Sequence, residues 1–261
     1  MPQIRPAAVA GMFYPADAAE LQQEINHYLQ SNPGLETPPK AMIVPHAGYI
    51  YSGPVAATAY SCLTPVRDVI NRVVLLGPAH RVPFTGLASS SASGFQTPLG
   101  TVPLDQPAIQ KLNQLPQVHI MDIAHEQEHS LEVHLPFLQV VLNNFELIPL
   151  VVGDASKKDV AEVLELVWGG EETLIVISSD LSHYQSYKVA QQIDRATSDA
   201  IEQLQPDQIH YDMACGRNPV NGLLEVARRK HLHAKTLDLR NSGDTAGPRD
   251  RVVGYGAYVF H

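Results

Sequence analysis

The chain has 261 residues, 44% of them hydrophobic and 17% charged, which is enough apolar material for a substantial core. Its formal net charge of −9 argues against a nucleic-acid partner, because the phosphates would be repelled. The two cysteines are too few for a disulfide framework, the N-terminal segment lacks a signal-peptide core, and no apolar run approaches the roughly 20 residues of a spanning helix. We therefore expect a cytoplasmic protein without membrane association.

Hydrophobic periodicity and turn residues predict helices alternating with buried strands. The predicted helices cover about residues 17–30, 53–62, 106–115, 129–142, 156–168, 189–204 and 219–230, with a shorter one after 206. The predicted strands cover residues 41–44, 86–90, 146–152, 234–239 and 252–260 and open the segments 72–80 and 173–184. Without a linker or internal repeat, this order predicts a single α/β domain over residues 1–261, with a central mixed, mostly parallel β-sheet flanked by helices.

Three histidines follow buried strands at the point where each strand ends. His46 comes after the apolar run 41–44, His80 closes the segment RVVLLGPAH, and His183 follows the run that opens TLIVISSDLSHY. Ligands gather outside the carboxyl ends of the strands in open α/β sheets, so we expect the three imidazoles to share one pocket. A lone histidine of this kind is more often structural; three at one sheet edge favour a metal or acid–base site.

Asp180 lies three residues before His183, so a turn after the strand is expected to bring both side chains to one site. One interpretation is a catalytic base, His183, that is oriented by the Asp180 carboxylate, or a pair that tunes a metal. The alternative is an aspartate that caps the following turn beside an exposed histidine.

Cys215 lies in the polar segment MACGRNPVNGLL, just before Pro219 and a predicted helix. The positive end of the helix dipole and the nearby Arg217 are both expected to favour the thiolate, which ligates metals or acts as a nucleophile. A cysteine is otherwise often a small buried hydrophobe, the interpretation that suits Cys62 in its apolar helix.

Residues 125–129 spell HEQEH, the pattern in which two histidines of a zinc metalloprotease flank a catalytic glutamate, here Glu126. Its polar neighbours indicate that the motif straddles a loop and a helix start, which disfavours the protease interpretation. Glu132 and His134 follow nearby and are candidates for the pocket wall, or else for the solvated face of a helix.

Two further segments offer weaker candidates. The Gly-rich loop NSGDTAGP carries Asp244 and permits close backbone approach to a ligand, although a hairpin turn explains it nearly as well. Tyr49 follows the His46 strand, where its hydroxyl is placed to hydrogen-bond a ligand, or where its ring simply packs.

Several blocks together resemble the Memo family, whose prokaryotic members often carry the label AmmeMemoRadiSam system protein B. The blocks are PHAGYIYSG (45–53), LGPAH (76–80), EHSLEVHLPF (128–137), SSDLSHY (178–184) and CGRNPV (215–220), with GMFYP and RVVGYGAYVF at the two ends. They cover nearly the whole chain in family order. The family's E-H-S-x-E-x-H block at 128–134 also weakens the protease interpretation.

The resemblance implies a fold similar to the LigB-type class III extradiol dioxygenases, which use non-haem iron. It implies metal ligands at His46, His80 and Cys215, with Asp180 and His183 beside them. Cys215 stands where those dioxygenases keep a carboxylate, so ring cleavage is not implied even if a metal binds. The resemblance also implies a functional association with a radical SAM protein.

These observations leave three hypotheses. The first is a metal-dependent redox protein of oxidase or dioxygenase type, with iron(II) as the expected cofactor and copper or zinc as alternatives. The second is a non-catalytic scaffold that binds a small molecule or peptide in the same pocket. The third is a zinc-dependent hydrolase that uses the HEQEH segment.

Overall fold

The computed structural model describes residues 3–32 and 37–261. The α-helices are α1 (Ala18–Gln30), α2 (Tyr49–Tyr60), α3 (Gln106–Leu112), α4 (Asp122–Glu126), α5 (Leu135–Val141), α6 (Lys157–Leu166), α7 (Tyr187–Glu202) and α8 (Arg217–Arg229). The strands are β1 (Ile4–Arg5), β2 (Ala41–Val44), β3 (Arg72–Pro78), β4 (Leu87–Ser89), β5 (Gly94–Thr97), β6 (Gly100–Pro103), β7 (Val118–Ile120), β8 (Glu146–Val152), β9 (Thr173–Ser178), β10 (His183–Gln185), β11 (Ala234–Asn241) and β12 (Val252–Phe260). Short 3₁₀ helices lie at Ser61–Val66, Glu132–His134, Pro206–Gln208 and Ser242–Asp244.

One mixed sheet forms the centre of the fold. Among the described residues it contains nine strands in the order β10–β12–β2–β9–β3–β8–β4–β7, with β11 paired to β12. Strands β2, β9, β3 and β8 are parallel neighbours, and their side chains are almost all buried. Burial on both faces explains why these strands are continuous apolar runs in the sequence. The predicted α/β architecture with a mixed sheet is confirmed.

Helices flank the sheet, and their starts follow the capping residues of the sequence. Asp17 accepts hydrogen bonds from the backbone of Ala19 and Glu20 at the start of α1, and Ser156 and Asp159 form a capping box for α6. Helices α6 and α8 pack together, while α2 and α7 lie against β12. No helix among the described residues is both long and apolar enough to cross a membrane.

Two predicted helices have different bounds in the structure. Helix α2 begins at Tyr49 rather than at Gly53, so Pro54 lies inside the helix. The helix predicted over 129–142 is instead a 3₁₀ turn followed by the short α5, because Pro136 has no N–H to donate and is favoured in the first turn of a helix, which here begins at Leu135. The segment 129–134 therefore does not continue as an α-helix, and Ser130 contacts the end of β3 at the edge of the sheet.

A second sheet and the strand β10 were not predicted. Strands β1, β5 and β6 form a three-stranded sheet in which two residues of the N-terminal segment pair with the Gly/Ser-rich segment. Strand β10 starts at His183 and pairs antiparallel with β12, so His183 belongs to a separate strand from β9. These elements are too short to show a periodic signal of their own.

Candidate metal centre

The carboxyl ends of three adjacent parallel strands form the floor of the site. His46 follows β2 by two residues, Asp180 follows β9 by two residues, and His80 follows β3 by two residues. Because β9 lies between β2 and β3, the side chains that follow these strands meet at one edge of the sheet. Cys215 reaches the same edge from the turn that precedes α8.

The structure brings His46, His80 and Cys215 together. One potential ligand atom from each lies within 4.8 Å of the others, and the His46 Nε2 atom is 3.4 Å from Cys215 Sγ. The two imidazole rings meet nearly edge to face, with centroids 5.1 Å apart. His46 is almost fully buried, whereas His80 and Cys215 border open space. Two imidazoles and one thiol at these distances are a donor set that suits iron, copper or zinc.

The tautomer of His46 follows from its hydrogen bonds. The Ser178 hydroxyl donates its one proton to the Ser130 carbonyl over 2.6 Å, so the 2.6 Å contact between Ser178 Oγ and His46 Nδ1 requires an N–H on the imidazole. Burial lowers the pKa of His46 well below its usual value, and neighbouring imidazoles add to this effect. The neutral ring therefore keeps its lone pair on Nε2, the atom that faces Cys215.

Glu128 holds His80 in place. Its Oε2 atom accepts the backbone N–H of His80 over 2.6 Å, and its Oε1 atom lies 2.9 Å from His80 Nδ1 and accepts the N–H of Ser130 over 2.9 Å. With the proton of the neutral ring held on Nδ1 by the carboxylate, the lone pair of Nε2 is available to a metal. Gly77 allows this arrangement, because a Cβ atom there would lie 2.8 Å from Ser130 Oγ.

The turn that carries Cys215 packs tightly against the end of β9. The Gly216 N–H donates to Ser179 Oγ over 3.0 Å, and a side chain at Gly216 would collide with Ser178 and Ser179. Burial, with the Asp180 carboxylate close by, raises the pKa of the Cys215 thiol, so without a bound cation the thiol form is favoured over the expected thiolate. A bound cation would reverse that preference, because coordinated thiols lose their proton.

His129 is a site residue that the sequence analysis considered only for the protease motif. Its ring stacks on His80 with centroids 4.7 Å apart and meets His46 edge to face. Its Nδ1 atom is buried and makes no hydrogen bond with any described residue, although Glu128 Oε1 lies 3.5 Å away. His80, Glu128 and His129 also form a second group with ligand atoms within 4.8 Å of one another. The E-H-S segment, which contains Glu128 and His129, was the sequence signal that could have indicated this residue. Its position over His80 depends on the tertiary structure.

Asp180 and His183 lie near each other but do not form the expected hydrogen-bonded pair. The Nδ1 atom of His183 lies 2.8 Å from the Leu181 carbonyl, and Asp180 Oδ1 instead accepts the backbone N–H of His46 over 2.8 Å. Asp180 Oδ2 is 4.0 Å from His46 Nε2, and burial raises the pKa of Asp180. The carboxylate thus positions the His46 loop, while a backbone carbonyl orients His183.

Three predicted pocket residues are instead buried in the packing behind the site. The Tyr49 hydroxyl donates to the Val133 carbonyl over 2.7 Å, and the Nδ1 atom of His134 lies 2.9 Å from the Tyr60 hydroxyl. The Glu132 carboxylate accepts bonds from Arg5, Ala8, Val9 and Tyr14. None of the three lines the open cavity. Their hydrogen bonds lie in the contacts between the N-terminal segment, α2 and the 129–134 segment, and His134 Nε2 is buried without a hydrogen-bond partner among the described residues.

Two other candidates also lie elsewhere. Asp244 caps its own 3₁₀ turn, accepts the Tyr187 hydroxyl and borders a different cavity. His125 is buried, its Nε2 atom is 3.0 Å from the Ala88 carbonyl, and burial lowers its pKa to about 4. Helix α4 ends at Glu126, so the two histidines of HEQEH do not share a helix. That geometry removes the support for a zinc-protease motif.

A cavity of about 590 Å³ opens onto the three-residue group. Its wall includes the candidate ligands His80 and Cys215, the candidate base His183, and Arg217, which was expected beside Cys215. An ion held by His46, His80 and Cys215 would therefore border a space large enough for a small organic molecule.

Fold and site together define an α/β protein with a candidate metal-binding group at the carboxyl ends of its parallel strands. The family model described as Memo-like protein matches residues 5–259, so the chain belongs to the Memo-like family.

Similar proteins are found in distant organisms. MEMO1 family proteins of Aquifex aeolicus and Ignicoccus hospitalis are 35% and 36% identical to this chain, with 99% and 98% of both chains covered. The crystal structure of the uncharacterized protein JW3007 from Escherichia coli K12 matches with a TM-score of 0.54, covering 84% of this chain and 98% of that one. Because its sequence is only 11% identical, this likeness shows a shared fold alone.

Proposed function

We propose that this chain is a metal-dependent redox protein whose ion is held by His46, His80 and Cys215. The observation that carries the proposal is the convergence of their three donor atoms within 4.8 Å. The hydrogen bonds of Ser178 and Glu128 support it, because they place the ring protons on the far side of both imidazoles. Iron(II) is the first choice, and copper or zinc would suit the same donors.

The residues around such a site would have different roles. Ser178 and Glu128 orient the imidazoles, and Asp180 fixes the backbone of the His46 loop. The N–H at His183 Nδ1 donates to the Leu181 carbonyl, so the neutral ring has its lone pair on Nε2, where it accepts a proton from a ligand in the cavity. A bound iron or copper ion would supply electron transfer and polarise a small molecule.

Metal analysis of protein purified without oxygen tests the proposal. We expect about one iron or copper ion per chain in the wild type, and the same content in Cys62→Ala, because Cys62 is not in the group. Cys215→Ala and His80→Ala should lose most of the metal while retaining the wild-type circular dichroism spectrum. Reversible oxidation and reduction of the bound ion, followed by its absorption spectrum, tests the redox part.

The competing functions give different outcomes in the same experiment. A chain that binds no metal under any loading condition, yet retains ligands in the cavity, would be the non-catalytic binding protein. Zinc that is retained in Cys215→Ala and lost in His125→Ala would restore the hydrolase hypothesis. Either result would overturn the redox proposal.

A further inference from the structure

Two arginines on the wall of the cavity, Arg81 and Arg217, have guanidinium groups whose N–H donors are not used by any residue that the structure describes. Arg81 directly follows His80, and Arg217 follows Cys215 by two residues, so each arginine lies close in sequence to a candidate metal ligand. Within the described part of the chain, neither guanidinium forms an ion pair or a hydrogen bond. In contrast, Arg5, Arg72 and Arg240 all pair with carboxylates. The cavity therefore contains guanidinium N–H donors that are available to a ligand, close to the candidate metal ligands His80 and Cys215.

Arg217 is the better positioned of the two. Its side chain is half-buried at the first residue of α8, and its Cζ atom lies 4.7 Å from the centre of the Tyr211 ring. A cation–π contact restrains the guanidinium but uses none of its five N–H donors. No acidic residue occupies the first turn of α8, so the positive end of the helix adds to the positive charge. These features prepare a site for an anion.

The rest of the wall limits which anion fits. Val82, Pro83 and Phe84 contribute an apolar side, which suits a ligand with a hydrocarbon body. Asp154 and Asp212 also border the cavity, and repel a dianion more strongly than a monoanion. A singly charged carboxylate on an apolar body satisfies both conditions better than a phosphate does.

We propose that the cavity binds a small organic carboxylate, with the carboxylate on Arg217 and the hydrocarbon body against residues 82–84. Arg81 contributes a second positive charge at the His80 side. A ligand anchored at Arg217 would occupy the cavity that His80 and Cys215 also border. The proposal names the substrate class of the proposed redox site, but binding through Arg217 does not itself require a metal.

The test uses benzoate and its uncharged analogue benzamide, titrated calorimetrically into the full-length, metal-free protein. We expect benzoate to bind at least about tenfold more tightly than benzamide, since charge-assisted bidentate bonds are roughly twice as strong as neutral ones. Arg217→Gln should weaken benzoate binding about tenfold or more and leave benzamide binding nearly unchanged. Arg195→Gln, an arginine that borders a different cavity, is the matched control and should bind benzoate like the wild type.

Several results would overturn the inference: equal affinity for benzoate and benzamide, wild-type benzoate affinity in Arg217→Gln, or tighter binding of phenyl phosphate than of benzoate. If Arg217→Gln does not fold, Arg81→Gln takes its place, and it should also weaken benzoate binding. Benzoate binding that depends on Arg217, in a chain that takes up no metal under any loading condition, would refute the redox proposal and keep this one. Metal binding without benzoate binding would refute the carboxylate proposal and keep the redox proposal.

Discussion

Replacing Glu128 with glutamine should weaken both the folded state and the metal centre. Three N–H donors, from the backbone and ring of His80 and the backbone of Ser130, converge on the two carboxylate oxygens. A glutamine side chain has one oxygen and one NH₂ group, so at least one of these donors would face another donor. Glu128 is 2% exposed, and water cannot replace the lost bonds.

The size of the effect follows from the pKa of the carboxyl group. Burial alone raises the pKa of Glu128, but the bonds from His80 and Ser130 outweigh it and lower the pKa from 4.5 to about 2. At 1.36 kcal/mol per pH unit, this shift stabilises the folded chain by about 3 kcal/mol. Because the folded pKa is depressed, the contribution is complete above about pH 4.5 and is present at neutral pH.

Urea unfolding of the metal-free protein at pH 7, followed by circular dichroism, measures this contribution. Glu128→Gln should lower the free energy of unfolding by about 3 kcal/mol, whereas Glu126→Gln, an exposed glutamate two residues away, should stay within about 0.5 kcal/mol of the wild type. Metal affinity should also fall about 10- to 100-fold in Glu128→Gln, since His80 loses its orientation. Equal unfolding free energies for wild type and Glu128→Gln would refute the reasoning.

Three further variants probe the packing around the centre, each by urea unfolding. Gly77→Ala places a Cβ atom 2.8 Å from Ser130 Oγ and should cost about 1–3 kcal/mol; an unchanged midpoint would contradict this. Arg5→Ala leaves the Glu132 carboxylate buried without its ion pair and should cost about 3–5 kcal/mol, with partial recovery in the double variant Arg5→Ala/Glu132→Gln. Burial lowers the pKa of His134 to about 3, so between about pH 6.5 and pH 3 only the unfolded chain takes up a proton at this residue, and acidification lowers the free energy of unfolding by about 1.4 kcal/mol per pH unit; His134→Asn should remove that part of the slope.

The parallel core of the sheet was predictable because its signals are local. Strands β2, β3, β8 and β9 are buried on both faces, so each is a short apolar run whatever its neighbours are. Capping residues such as Asp17 and Ser156 likewise act on backbone groups within three residues of themselves. The convergence of His46 and His80 followed from the same logic, because parallel strands place their carboxyl ends at one edge.

Some residues that were predicted for the pocket lie elsewhere, and the reason is that their contacts are not local. Tyr49, Glu132 and Asp244 were chosen for their type and for their position near a strand end or loop, but the hydrogen-bond partners of a side chain depend on which distant segment packs against it. Glu132, for example, is satisfied by the N-terminal segment more than a hundred residues away. No periodic pattern records such a contact.

The sequence by itself therefore determined the α/β alternation, the buried parallel strands and the residues that end them, because each depends on neighbours along the chain. Only the tertiary structure decided which atoms face the centre. His46 is oriented by Ser178, 132 residues away, and His80 by Glu128, 48 residues away. These partners are distant in sequence, and it is the assembled sheet, with the 129–134 segment packed across its edge, that brings them into contact.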